Sequence, residues 1–162
     1  MKLISKFLGA GKTTLVEILA GKNKSGHISG NVKFFTSGGS PAAPRIGFVP
    51  QQDVLPPTLT VYEALLFAAR LRLPENILDT TKRELVDELM SKLGISSLRD
   101  ARIGYSGDLA GGKARGISGG EMRRVSIGLE LIARPDVLIL DEPTSGWSTC
   151  GCSIECLRQC PL

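Results

Sequence analysis

Nothing in this chain is apolar for long enough to cross a bilayer. The longest uninterrupted apolar run is Ala64 to Ala69, against the roughly 18 to 20 residues that a membrane span requires. Met1 to Ser5 is likewise too short for the apolar region of a signal peptide, so the expectation is a chain without a targeting segment, acting on the cytosolic side. Histidine is almost missing: His27 stands alone, with no carboxylate, thiol or second histidine close in sequence, and is expected as a surface side chain. Cysteine is absent until Cys150, Cys152, Cys156 and Cys160. Their C-x-C-x3-C-x3-C spacing is not that of a familiar zinc site, and reduced thiols are the expectation. Aromatic residues make up only 5% of the chain. The 20 Lys and Arg against 16 Asp and Glu are scattered, so the net charge of +4 reads as a solvated basic surface and no nucleic acid is expected as a partner. What is present suits one soluble globular domain: 162 residues, 42% apolar and 22% charged, enough to bury a real core.

The chain is organised around Gly9-Ala10-Gly11-Lys12-Thr13-Thr14, where small residues, a cation and a hydroxyl fall at a strand-to-helix turn. Glycines let successive N–H groups curl inward, and the following helix adds the positive end of its dipole. That is a phosphate cradle, in which Lys12 would neutralise β- and γ-phosphates and the Thr13 hydroxyl would hold Mg²⁺. Position 6, where the full pattern opens with glycine, carries Lys6.

Leu3-Ile4 reads as the end of a strand, and Leu15, Val16, Ile18 and Leu19 as a core-facing helix stopped by Gly21. Residues 22 to 45 read as loops with one short strand, Asn31 to Phe35. Ile46 to Val49 is a further strand, ended by Pro50 and followed by Gln51, Gln52 and Asp53 where open α/β sheets keep ligands. Thr60 and Glu63 have the form of a capping box, predicting a helix to Leu73 before Pro74; Thr81 and Glu84 repeat the form. The second helix is expected to bury Leu85, Val86, Leu89, Met90 and Leu93, to turn Lys82, Asp87, Glu88 and Lys92 away, and to end at Gly94. Two helices without an intervening strand suggest a helical subdomain inserted in an α/β core.

Gly104 to Gly116 holds five glycines, too flexible for a regular element. In Ile117-Ser118-Gly119-Gly120-Glu121, Ser118 can cap a helix, Glu121 can return the bond, and two glycines leave the first N–H groups bare, which makes a second anion site. Met122, Val125, Leu129 and Ile132 form that helix's buried stripe, and Pro135 follows its end. Val137 to Leu140 is apolar on both faces, as a central parallel strand must be, and delivers Asp141 and Glu142 at its end. Neighbouring strand residues point in opposite directions, so one carboxylate can face a metal's water shell while the other faces an attacking water.

In that order, these motifs make the chain resemble the nucleotide-binding domain of ATP-binding-cassette transporters. Gly9 to Thr14 resembles Walker A, Gln51 the Q-loop glutamine, Ile117 to Glu121 the signature motif and Val137 to Glu142 Walker B. Thr58 to Glu63, Leu71-Arg72-Leu73-Pro74 and Gly128 to Leu131 are most similar to the G subfamily. The resemblance covers about residues 3 to 146. It implies an α/β P-loop NTPase fold with a mostly parallel core sheet, a small N-terminal β element and an inserted α-helical subdomain. By residue, it implies an ATP-binding core of 1–53 and 134–149, a helical subdomain of 54–133 and an atypical tail of 150–162. It further implies ATP and Mg²⁺ bound by Gly9, Ala10, Gly11, Lys12, Thr13 and Thr14, with Thr13, Asp141 and Gln51 at the metal. Glu142 would be the general base, with Gln51 sensing metal and water. Ser118, Gly119, Gly120 and Glu121 would meet ATP in trans, in a head-to-tail pair of cassettes joined to a transmembrane domain at the cytoplasmic face of a membrane. Export of lipids or other hydrophobic compounds is the transport function such a domain would drive.

Three positions depart from that pattern. Lys6 replaces a glycine, Trp147-Ser148 stand where the family continues Leu-Asp after Thr144-Ser145-Gly146, and no switch histidine follows before Leu162. The expectation is therefore a cassette cut short at both ends. Two alternatives stay open: a fragment that binds nucleotide without hydrolysing it, and a soluble cassette ATPase of translation or DNA repair.

Overall fold

Val137–Leu140 is apolar at every position, so its backbone can be satisfied and its side chains buried only inside a sheet. The computed structural model, which describes residues 2–4, 12–22, 27, 29–36, 38–104 and 116–141, puts it there. This strand, β5, runs parallel to β1 (Lys2–Ile4) on one side and to β4 (Ile46–Val49) on the other, in the order β1-β5-β4. Ile4 lies beside Ile139, and Val49 beside Leu140. All three strands therefore end together at one edge of the sheet. The other elements, in chain order, are helix α1 (Lys12–Leu19), a two-stranded antiparallel pair of β2 (Phe34–Phe35) and β3 (Pro41–Ala42), and helices α2 (Val61–Arg72), α3 (Asp79–Lys92) and α4 (Gly119–Leu131). The α/β architecture with a parallel sheet is as the sequence predicts.

Local chemistry sets most helix ends. Thr60 caps α2 through a reciprocal box: its amide donates to the Glu63 carboxylate at 2.8 Å and its hydroxyl accepts the Glu63 amide at 3.2 Å. Gly21 and Gly94 adopt φ of +72° and +63° just past α1 and α3, the left-handed turn that closes a helix. Packing does the rest. Val61, Leu65 and Ala69 of α2, Val86, Leu89 and Met90 of α3, and Val125, Ile127 and Leu131 of α4 join Val49, Leu138 and Leu140 of the sheet in one core. Gly128 allows the close approach of α4, since a β-carbon there would meet Leu65 and Leu93 methyls at 3.0 Å.

Three expectations are corrected. The box at Thr81 and Glu84 does not form: α3 begins two residues earlier, at Asp79, after Leu78, which makes no side-chain cap bond. Asp79 fixes that start by accepting from Arg70 at 2.7 Å and Arg83 at 2.9 Å. Both arginines, Arg70 first, hold its carboxyl well below the usual carboxylate range. Lys82 is buried rather than turned away. It precedes Val86 and Met90 by four and eight residues, which places it on the apolar face, where its aliphatic stem packs. The strand expected over Asn31 to Phe35 is confined to Phe34–Phe35, its partner being the Pro41–Ala42 pair. His27 is exposed, as expected.

Candidate functional site

Three segments reach the same edge of the sheet. β1 ends there at Ile4 and α1 begins at Lys12, with Thr13 and Thr14 exposed in its first turn. β4 ends there at Val49, and the next residues carry Gln51, exposed, and Asp53, half-buried. β5 ends there at Leu140 and hands over to Asp141, whose amide donates to the Val49 carbonyl at 3.0 Å, one step beyond the strand pairing. Carboxyl ends of parallel strands are where open α/β sheets hold ligands. Gly9, Ala10, Gly11, Glu142, Lys6, the 105–115 segment, Trp147-Ser148 and the cysteine tail lie outside the described residues, as does the side chain of Lys12.

Asp141 is 2% exposed, and its Oδ2 is buried without a hydrogen-bond partner. A buried carboxylate oxygen left unpaired is costly unless a cation or its water shell meets it. That orphan acceptor fits the expected Mg²⁺, for which Thr13 and Gln51 are the other donors expected from the sequence. No group of three or more His, Cys, Asp or Glu side chains among the described residues is placed to hold a metal. A hard cation bound mostly through water and phosphate needs no such group.

The residues expected as a second anion site lie at the start of α4. Ser118 caps α4 as Thr60 caps α2: its amide donates to the Glu121 carboxylate at 2.7 Å and its hydroxyl accepts the Glu121 amide at 3.3 Å. Those bonds, the one with the Ser118 side chain first, lower the Glu121 pKa. The box consumes the third orphan N–H of the helix and leaves those of Gly119 and Gly120, which no α-helix satisfies internally. Ser118 and Gly119 are exposed, and nothing lies within 4 Å of where a Gly119 β-carbon would be. Within this chain the helix start therefore faces outward.

Arg123 is a buried cation that motif reading passes over. It is 1% exposed; its Nη1 donates to the Pro50 carbonyl and to Asp53 Oδ1 at 3.0 Å, and its Nη2 donates to the Asp141 carbonyl at 2.5 Å. A signal exists: Ile127 and Leu131 follow it at four and eight residues, marking its face of α4 as buried. A cavity of about 430 Å³ lies at the opposite end of the strands, lined by Arg45, Ile46, Gly47, Arg72 and Glu130 among others. Arg72 and Glu130 pair across it at 2.9 Å, and it holds none of the residues expected at the site.

Residues 8–145 match the family described as ABC transporter. The chain is 47% identical over 153 residues to a Saccharomyces cerevisiae protein named "Probable ATP-dependent permease", covering 92% of this chain and 14% of that one. It is 46% identical to ABC transporter G family member 22 of Dictyostelium discoideum, covering 87% of this chain and 23% of the relative. With the Arabidopsis thaliana ABC transporter G family member 22 the identity is 45%, over 85% of this chain and 18% of the relative. The chain thus spans less than a quarter of the length of each of these relatives. The solved inward-facing structure of a metal-chelate type ABC transporter superposes with a TM-score of 0.57 at 19% identity, over 88% of this chain and 50% of that one, a likeness of fold. Among the described residues no helix is long and apolar enough to cross a membrane.

Proposed function

The chain belongs to the ABC transporter family, and we propose that it is the ATP-binding and ATP-hydrolysing motor domain of a transmembrane transporter of the G subfamily, whose members it resembles. One observation carries this reading furthest. The Asp141 carboxylate, buried with an unpartnered oxygen, stands at the sheet edge where β1 also ends and where β4 ends just before Gln51.

In this reading Gly9, Ala10, Gly11 and Thr14 wrap the phosphates with backbone N–H groups, and Lys12 neutralises the β- and γ-phosphates. Thr13, Asp141 and Gln51 would hold Mg²⁺, which supplies charge neutralisation on the transferred phosphoryl group. Glu142 takes a proton from water as the water oxygen bonds to the γ-phosphorus and the bond to the β–γ bridging oxygen breaks, releasing ADP and phosphate. Asp53 and Arg123 keep the Gln51 loop against the end of β5. The outward-facing start of α4, with Ser118, Gly119, Gly120 and Glu121, serves the γ-phosphate of a second cassette, since a chain that exposes one anion site while assembling another at the sheet edge is suited to head-to-tail pairing.

The partners are then ATP, a second nucleotide-binding domain and a transmembrane domain, with the chain at the cytoplasmic face of the membrane and no nucleic acid. Residues 1–53 and 134–149 would form the ATP-binding core, 54–133 the helical subdomain bearing the signature and 150–162 a tail outside it. The transported compounds would be lipids or other hydrophobic molecules, as in the resemblance. The decisive experiment is Glu142→Gln: ATP binding is retained and phosphate release is lost, whereas persisting release removes Glu142 from the role of base.

A further inference from the structure

Among the described residues Arg123 is the largest fully buried side chain, and it is a cation. It stands five residues beyond the Ser118 cap, so about 7 to 8 Å along the helix. From there its guanidinium reaches two other segments at once. Nη1 takes the Pro50 carbonyl and the Asp53 carboxylate, which bracket Gln51 and Gln52, while Nη2 takes the carbonyl of Asp141. The Asp53 pair is buried on the arginine side, at 1% exposed, and nearly so on the other, at 15%. Burying such a pair gains little stability over an apolar side chain of the same volume. What a guanidinium offers and methionine does not is geometry: a planar fork that fixes two directions together.

We propose that Arg123 is a positioning residue that ties α4 to the metal-facing end of its own chain's site, by holding the backbone of Asp141 and both flanks of Gln51 in one register. This rests on the reading of Asp141 and Gln51 as the groups facing Mg²⁺. Its consequence is a link between two nucleotides. In a head-to-tail pair the start of α4 belongs to the partner's ATP, and Arg123 sits on that same helix with its guanidinium at the end of β5. Hydrogen bonds weaken steeply with angle and distance, so a shift of α4 when the partner's nucleotide is engaged changes the hold on Asp141 and the Gln51 loop.

The test is ATP affinity of the full 162-residue chain in excess Mg²⁺ and in EDTA, for the unaltered chain, Arg123→Lys and Asp53→Asn, with thermal unfolding followed in parallel. Lysine keeps a cation for Asp53 but lacks the second arm that reaches Asp141. The metal-dependent gain in affinity is expected to fall about tenfold in Arg123→Lys, the scale of one lost charge-assisted hydrogen bond, with affinity in EDTA held within about twofold. Asp53→Asn, which leaves the guanidinium in place, is expected to lose less of the gain. If the gain is unchanged in both variants, or if both affinities fall together in step with the melting temperature, Arg123 merely supports the fold and the proposal is overturned. If the unaltered chain itself binds ATP with no gain from Mg²⁺, the reading of Asp141 and Gln51 fails, and the proposal with it. That outcome is told apart by appearing before any substitution is made.

Discussion

A β-carbon on Gly116 would lie 2.0 Å from the carbonyl oxygen of Ile103, the same oxygen that accepts the Ile117 amide at 3.1 Å. Backbone cannot rotate out of the way as a flexible side chain can. Gly116→Ala must therefore push Ile117, and with it the Ser118 cap, away from residues 103–104. The expected cost is about 1 to 3 kcal/mol or more, the range for forcing extra volume into a closed site. Urea unfolding measures it, and a change within about 0.5 kcal/mol, as at ordinary surface positions, would show that the approach is not as close as described.

The ion pair of Arg123 and Asp53 gives a second prediction. Asp53→Ala leaves a guanidinium that is 1% exposed without its counter-charge and is expected to destabilise the chain by about 3 to 5 kcal/mol. Removing the charge as well, in Arg123→Met with Asp53→Ala, is expected to recover part of that loss. Equilibrium unfolding of the two variants checks the order, and a double variant less stable than Asp53→Ala would contradict it.

The two capping boxes predict a pH dependence with a definite sign. Hydrogen bonds from Thr60 and Ser118 hold the Glu63 and Glu121 carboxyls below their ordinary value. A depressed folded-state pKa means that the contribution is fully present above the unfolded-state value, about 4.3 for Glu, and is lost as pH falls from there through the folded-state value. The melting-temperature difference between the unaltered chain and Glu121→Ala should be level from neutral pH down to about 5 and shrink below about 4. A difference that instead grows as pH falls would contradict the box.

Elements whose signal is local were legible before any coordinates. Val137–Leu140 is apolar throughout and became the central strand, and Thr60 with Glu63 and Ser118 with Glu121 formed their boxes. Thr81 with Glu84 shows the limit of the same reasoning, because Asp79 is claimed by Arg70 from the preceding helix and starts α3 early. Lys82 was misplaced by its charge although its spacing to Val86 and Met90 was plain. Asp141 and Gln51 were readable as strand-end residues because each follows a strand. Arg123 was not, since its three acceptors lie 18 to 73 residues away and only the packing of α4 on the sheet brings them together.

The account stands most directly on nucleotide binding at the turn into α1. ATP titration of the 162-residue chain with Mg²⁺, unaltered and as Lys12→Ala, measures it. Removing the ammonium proposed to neutralise the phosphates is expected to weaken ATP binding by about a hundredfold or more, some 3 kcal/mol, with the melting temperature of the free chain little changed. Equal ATP affinity in the two proteins would contradict the assignment of that turn as a phosphate cradle and the motor function built on it.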